Sequence, residues 1–128
     1  MKKITELKPN QVFVFGSNMR GVHGAGAARD ARLLFGAETG VAEGFTGRCY
    51  AIPTKINPSD GAGRPLIRIA LSVEKFLLTA MERNDLEFLV TPIGCGLAGF
   101  EPSQIAPFFL GAPPNVIIPE EFKTKETA

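Results

Sequence analysis

The stretch QVFVFGSNMRGVHGAGAARDARLLFG, Gln11 to Gly36, decides the fold. Gln11 to Phe15 is a short apolar run rich in β-formers, and it stops at Gly16-Ser17-Asn18. That predicts a strand feeding a loop. The loop from Asn18 to Gly26 holds Gly21, Gly24 and Gly26. Ala25 to Phe35 then reads as a helix. Ala27, Ala28, Ala31, Leu34 and Phe35 fall at helical spacing, and Gly36 stops it.

The same strand–loop–helix unit recurs further along. Cys49 to Ile52 predicts a second strand, ended by Pro53, and Asn57 to Arg64 is turn-rich. Pro65 to Arg83 predicts a long amphipathic helix, with a stripe of Leu66, Ile69, Ala70, Val73, Leu77, Ala80 and Met81. Leu86 to Val90 predicts a third strand, ending at Thr91-Pro92. A second glycine loop follows, Gly94-Cys95-Gly96-Leu97-Ala98-Gly99. Glu101 to Leu110 predicts a short helix with Pro102 in its first turn, and Val116 to Ile118 a last strand. Residues 120–128 are polar and expected to fray. Strands alternating with helices imply an α/β fold with a mainly parallel sheet covered on both faces. Ligands of such sheets bind beyond the carboxyl ends of the strands. Gly16 to Gly26, Pro53 to Lys55 and Gly94 to Gly99 all follow strand ends, so one ligand can touch all three.

Composition agrees with this reading. The 128 residues suffice for one domain and are too few for two, with the core expected over about 11–119. Hydrophobic residues are 45% and charged residues 21%, which excludes a disordered chain. A net charge of +1 argues against a strongly basic duplex-DNA coat or an acidic tail. Glycine (14) and proline (10) exceed their usual shares but follow no period, which excludes collagen-like and repeat architectures. No apolar run approaches a membrane span. The start, Met1-Lys2-Lys3-Ile4-Thr5-Glu6, lacks the apolar stretch of a signal peptide, so a reducing cytoplasm is the expected compartment. Cys49, Cys95 and His23 have none of the close pairing of a zinc site, and no metal is expected.

The loops carry the chemistry. Gly21, Gly24 and Gly26 spell G-x-x-G-x-G before a helix, neither the dinucleotide fingerprint nor a P-loop. Such a loop is a site for phosphate on free helix-start amides, or a flexible connection. Asn18 orients a ribose or nucleobase, or makes a turn. Lys55 is one of three things: a nucleophile if desolvated, a phosphate-pairing charge, or a solvated loop lysine. Gly94 to Gly99 can form a backbone nest for a second phosphate or ribose. Phe100 is placed to cover a sugar or base. Cys95 would need a base to act as a nucleophile, and His23 is the only histidine. Cys95 therefore reads as a small hydrophobe, and His23 as a loop residue near the ligand. Cations outnumber anions from Gly16 to Arg68, which suits a phosphorylated small molecule.

These motifs resemble those of macrodomains, the ADP-ribose-binding fold. The likeness is greatest to the branch holding the DNA ADP-ribosyl glycohydrolase DarG and the terminal ADP-ribose glutamate hydrolase. There a strand-end Asn precedes N-x-x-G-x-x-G-x-G-x-A, matched by Asn18, Gly21, Gly24, Gly26 and Ala28. Pro53-Thr54-Lys55 matches the P-T-K segment, and Gly94-Cys95-Gly96 with Gly99 matches the G-C-G loop. The motifs run in order across about residues 12–118. The resemblance implies a small three-layer α/β/α fold with ADP-ribose in a cleft at the strand ends. It implies that the loop from Asn18 to Ala28, including Val22 and His23, lines the distal ribose beside Thr54. It implies that Gly94, Cys95, Gly96, Leu97, Ala98, Gly99 and Phe100 wrap the diphosphate. Lys55 inherits the catalytic role at the anomeric carbon of the distal ribose.

Two departures stand out. Ala98 occupies the place where the glutamate-specific enzyme carries an acidic residue. Ile56-Asn57-Pro58-Ser59-Asp60 replaces the aromatic and basic residues after the P-T-K of DarG. The expected activity is lysine-dependent removal of ADP-ribose from modified DNA or protein, with nucleic acid met only as modified substrate. It uses no cofactor, and ADP-ribose is ligand or product. The alternatives are a non-catalytic reader or sink of ADP-ribose or a related NAD-derived nucleotide, and an interaction domain without a nucleotide.

Overall fold

A computed structural model describes residues 3–59 and 62–123. Strand β1 (Gln11–Asn18) lies at the centre of the sheet and leads into helix α1 (Gly26–Phe35). A short strand β2 (Gly44–Thr46) turns back as β3 (Cys49–Lys55). Helix α2 (Leu66–Glu82), strand β4 (Glu87–Val90), the single turn α3 (Pro102–Ile105), a 3-10 turn over Ala106–Phe109 and strand β5 (Val116–Ile117) complete the order. The five strands are arranged β2-β3-β1-β4-β5, parallel except for β2 on β3.

The α/β reading of the sequence holds, with β2 as an addition. β2 is three residues long, pairs Phe45 with Tyr50 and lies on the sheet edge. So short a strand makes no period-two pattern, which is why the sequence does not announce it. Two strand ends also differ from expectation. β1 continues through Gly16-Ser17 to Asn18, and β3 runs through Pro53 to Lys55, because the two pair to their ends, Ser17 with Pro53 and Asn18 with Lys55. Proline is tolerated there because β2 reaches only to Ala51, leaving that edge of β3 without a strand partner.

Alternate residues of the strands feed two cores. Val12, Val14, Tyr50 and Ile52 face Ile69, Val73, Phe76 and Ala80 of α2, with Ile105 and Phe109 beside them. Phe13, Phe15, Cys49 and Ala51 face Ala28, Ala31 and Phe35 of α1. Burial on both faces explains why Val12 to Phe15 reads as unbroken apolar sequence. The helix stripes need correction. Leu34 is exposed on α1, Met81 is exposed on α2, and Phe76 takes a central place in the core.

Gly36 ends α1 in the left-handed conformation, as its position predicts. The helix expected over Glu101 to Leu110 changes to 3-10 geometry after Ile105. Pro107 has no N–H for an α-helical bond. The polar tail is anchored at Phe122, which is buried and stacks on Phe109 at 5.6 Å. Of the fray expected over 120–128, Glu120–Phe122 form a 3-10 turn instead, and 124–128 lie outside the described residues, as do Asp60 and Gly61 of the turn-rich stretch.

The carboxyl end of α2 is tied down from a distance. Asn115 Nδ2 donates to the carbonyls of Ala80 (3.0 Å), Arg83 (3.1 Å) and Leu86 (3.0 Å). Asn115→Ala removes three bonds, although Ala80 O and Arg83 O still accept from Arg83 N–H (3.2 Å) and Leu86 N–H (3.0 Å), and is expected to cost about 1 kcal/mol of unfolding free energy in a urea titration. A midpoint equal to wild type would deny the cap its role.

Candidate functional site

The chain leaves β1 for α1 on one face of the sheet and leaves β4 for α3 on the other. The connections diverge between these neighbouring strands and open a crevice at their carboxyl ends. A cleft of about 460 Å³ lies there, within the range of small-molecule sites. Its walls come from the end of β1 with the loop to α1, from Thr54, Lys55 and Pro58, and from Thr91 to Gly94 with Gly96 to Ala98. The three segments singled out in the sequence thus meet in one cavity.

The first wall is the start of α1. Ala25 to Ala28 line the cleft, no side chain caps the helix, and its first turn carries no acid. The free amides and the helix dipole make this wall electropositive. Asn18 shapes the loop ahead of it. Its Oδ1 accepts from the N–H groups of Arg20 and Val22, both at 3.1 Å, and its Nδ2 donates to the Val22 carbonyl at 2.7 Å. Asn18 is therefore a turn-maker that also lines the cleft.

The opposite wall is the second glycine loop. It is folded on itself by Cys95 N–H to Pro92 O (3.2 Å), Gly99 N–H to Gly96 O (3.0 Å) and Phe100 N–H to Gly94 O (2.9 Å). Among the described residues, the N–H groups of Gly94, Gly96, Leu97 and Ala98 make no hydrogen bond. All four residues line the cleft. Successive free amides of this kind form a nest for an anionic group.

The floor holds Lys55, the only ionisable side chain among the described residues that line the cleft. It is 8% exposed, and its Nζ donates to the Pro58 carbonyl at 3.2 Å. Its backbone is clamped on two sides. Met19 N–H donates to the Lys55 carbonyl at 2.9 Å, and Lys55 bridges to Gly63. Arg64 secures the strand end by donating from its N–H to Thr54 O (2.8 Å) and from Nη1 to Pro53 O (2.9 Å).

No family model matches the chain, and neither does any curated protein. Among solved structures it is similar to Thermosipho africanus DarTG in complex with ADP-ribose, with a TM-score of 0.57 at 15% identity. The likeness covers 95% of this chain and 45% of that one. The fold is macrodomain-like. The chain spans under half the length of that neighbour, and at this identity the likeness carries the architecture alone.

Several residues read as ligand contacts sit elsewhere in this macrodomain-like fold. Gly21, His23, Cys95, Gly99 and Phe100 are outside the cleft lining, whereas Val22, Gly24, Gly26, Ala28, Thr54, Gly94, Gly96, Leu97 and Ala98 are in it. Phe100 packs across Gly63, where an added methyl would lie 2.3 Å from its ring. Cys95 packs against the α2-side core, and burial, with Glu101 and Glu121 adding to it, pushes its thiol up to about 11. His23 packs edge-on to Phe15 in the α1-side core, so the sheet separates the two. Ser17, Pro58 and Thr91 line the cleft without carrying any motif; Ser17 and Thr91 stand just before the glycine loops and Pro58 three residues after Lys55. No group of three metal-ligating side chains occurs among the described residues, and none of their helices is long and apolar enough to cross a membrane.

His23 has a consequence for stability. It is 1% exposed, and its Nε2 lies 3.1 Å from the Glu38 carbonyl. Burial lowers its imidazole from the ordinary value of 6.5, and hydrogen bonds to the Glu38 and Val41 backbone oppose that shift. The unfolded chain therefore takes up the proton first as pH falls through about 6.5. The contribution is intact above that pH and lost on the way down to the lower folded value. Urea midpoints are expected to fall from about pH 7.5 to about 5.5, and His23→Phe should flatten that slope. Equal slopes in both proteins would refute the assignment.

Proposed function

We propose that the cleft binds ADP-ribose and that the protein removes it from a modified macromolecule, DNA or protein, using Lys55. The observation that carries this reading is the meeting of two walls of free backbone amides over one buried lysine. The amide nest and the α1 start suit the two phosphates, and backbone donors supply that recognition without cationic side chains. The fold shared with DarTG, whose structure holds ADP-ribose, supports the same ligand. So do the DarG-like motifs around Asn18, Lys55 and Gly94.

In this reading Lys55 Nζ acts at the anomeric carbon of the distal ribose. It either bonds transiently to that carbon as the link to the macromolecule breaks, or stabilises the charge of the departing group. In the first case the amine's proton goes to the departing macromolecule, and water then breaks the Nζ–carbon bond to free ADP-ribose and restore the lysine; in the second, water replaces the macromolecule on the ribose directly.

A second reading is a non-catalytic reader or sink of ADP-ribose. It is favoured by Ala98, which lines the cleft and offers no carboxylate to work with Lys55. Titration with ADP-ribose tests the shared premise. At a ligand concentration of about 100 times Kd, the native state is expected to gain about 2.7 kcal/mol in a thermal melt, and AMP or ribose alone should give less. No shift with ADP-ribose would refute both readings. Binding without release of ADP-ribose from modified DNA or protein would decide for the reader.

A further inference from the structure

The outward face of α2 is apolar where a helix on a sheet is expected to be polar. Ile67 is 67% exposed, Leu71 51%, Leu78 55% and Met81 62%. With Glu74 these residues are spaced four, three, four and three apart and form one stripe along the helix. The seam runs along about 21 Å of helix. Its inner face is already committed to the core through Ile69, Val73, Phe76 and Ala80, so α2 has two apolar faces and only one is covered.

The charges beside the seam reverse along the helix. Arg68 lies at its amino end, Glu82 at its carboxyl end, and Glu74 and Lys75 at its middle, all four exposed. None forms a salt bridge among the described residues. A second α2 laid antiparallel, with the two-fold axis passing near Glu74 and Lys75, sets each Arg68 opposite the other copy's Glu82. It also sets each Leu71 near Leu78 and each Ile67 near Met81, while at the axis each Glu74 and Lys75 meets both its opposite and its own counterpart. A parallel pair sets Arg68 against Arg68 and Glu82 against Glu82. The end charges, Arg68 and Glu82, are thus complementary in the antiparallel orientation only, as a two-fold interface requires, and the antiparallel helix dipoles agree with it.

We propose that the protein self-associates through α2 as an antiparallel two-fold dimer. A patch built from one helix per copy falls below the roughly 1,600 Å² of a standard interface. The dimer is therefore expected in exchange, with a Kd in the micromolar range. Sedimentation equilibrium of the full chain from about 5 to 500 µM tests this, and a single monomer species throughout would overturn it. Leu71→Glu/Leu78→Glu should be monomeric over the same range while keeping the wild-type far-UV spectrum, and an unchanged dimer would place the interface elsewhere. The charge pair gives a test that does not touch the apolar seam. Arg68→Glu and Glu82→Arg should each weaken the dimer about tenfold, and the double variant should restore it. Failure of the double variant to restore association would overturn the antiparallel arrangement.

Discussion

Replacing Lys55 by alanine is expected to slow release of ADP-ribose from modified DNA or protein by at least about 100-fold. That corresponds to about 2.7 kcal/mol of transition-state stabilisation. The expectation rests on the composition of the cleft. Every other described residue lining the cleft is glycine, small, apolar or uncharged, so none of these neighbours can substitute for the amine. Affinity for free ADP-ribose is expected to change by less than about threefold, because the proposed binding mode leaves the anion to backbone amides of the α1 start and the Gly94 to Ala98 loop. The lost bond from Nζ to the Pro58 carbonyl is local and leaves the Thr54–Arg64 and Met19–Lys55 backbone bonds in place. Lys55→Arg separates the two roles. It keeps a charge near the anomeric carbon but cannot form the transient bond, so retained activity would mark Lys55 as an electrostatic group. Equal rates for wild type and Lys55→Ala, measured by chromatography of released ADP-ribose, would remove the assigned role.

Gly21→Ala is expected to be the most damaging single change of one atom in the first loop. Gly21 has φ of 68°, where a side chain costs about 1–2 kcal/mol. An added Cβ would also lie 2.5 Å from the Gly40 carbonyl carbon and 2.8 Å from its Cα. Both obstacles are backbone, so no rotamer change relieves them. The two segments are also joined by Gly40 N–H to Gly21 O at 2.9 Å, so the loop must retreat from a partner it is bonded to. The expected cost is about 3 kcal/mol or more, seen as a fall in Tm of about 10 °C. Val22 follows directly and lines the cleft, so ADP-ribose affinity should fall with the displaced loop. Gly24→Ala is the matched control, because an added methyl there meets nothing within 4 Å. If Gly21→Ala melted like Gly24→Ala, the packing of the two loops would not be what demands a glycine at 21.

Gly21 and His23 show where sequence and site part company. Both belong to the glycine-loop motif, and both read as ligand contacts when the motif is taken as a unit. Gly21 instead lets the loop touch the segment at Gly40, and His23 turns inward onto Phe15. A motif records which residues a loop needs to exist, and those are partly the ones that pack its far side. Asn18 combines both purposes, since it ties the loop to itself and lines the cleft.

The order of strands and helices, the two-faced burial of Val12 to Phe15, the stop at Gly36 and the clustering of three loops were readable from the chain alone. Each depends on periodicity or on a residue with a local conformational preference, and such signals survive without tertiary context. The strand β2, the reach of β1 to Asn18 and of β3 to Lys55, and the inward place of Phe76 were not. Each is settled by pairing or packing between segments far apart in sequence, for which one strand or one helix carries no mark. The same holds for the walls of the cleft. The sequence marks glycines, but which amides stay free and which residue faces the cavity depends on where two loops on opposite faces of a sheet come to rest. The outward stripe of α2 belongs to that second class, because α2 carries more apolar residues than one face can bury, and only the packed structure shows which of them are left outside.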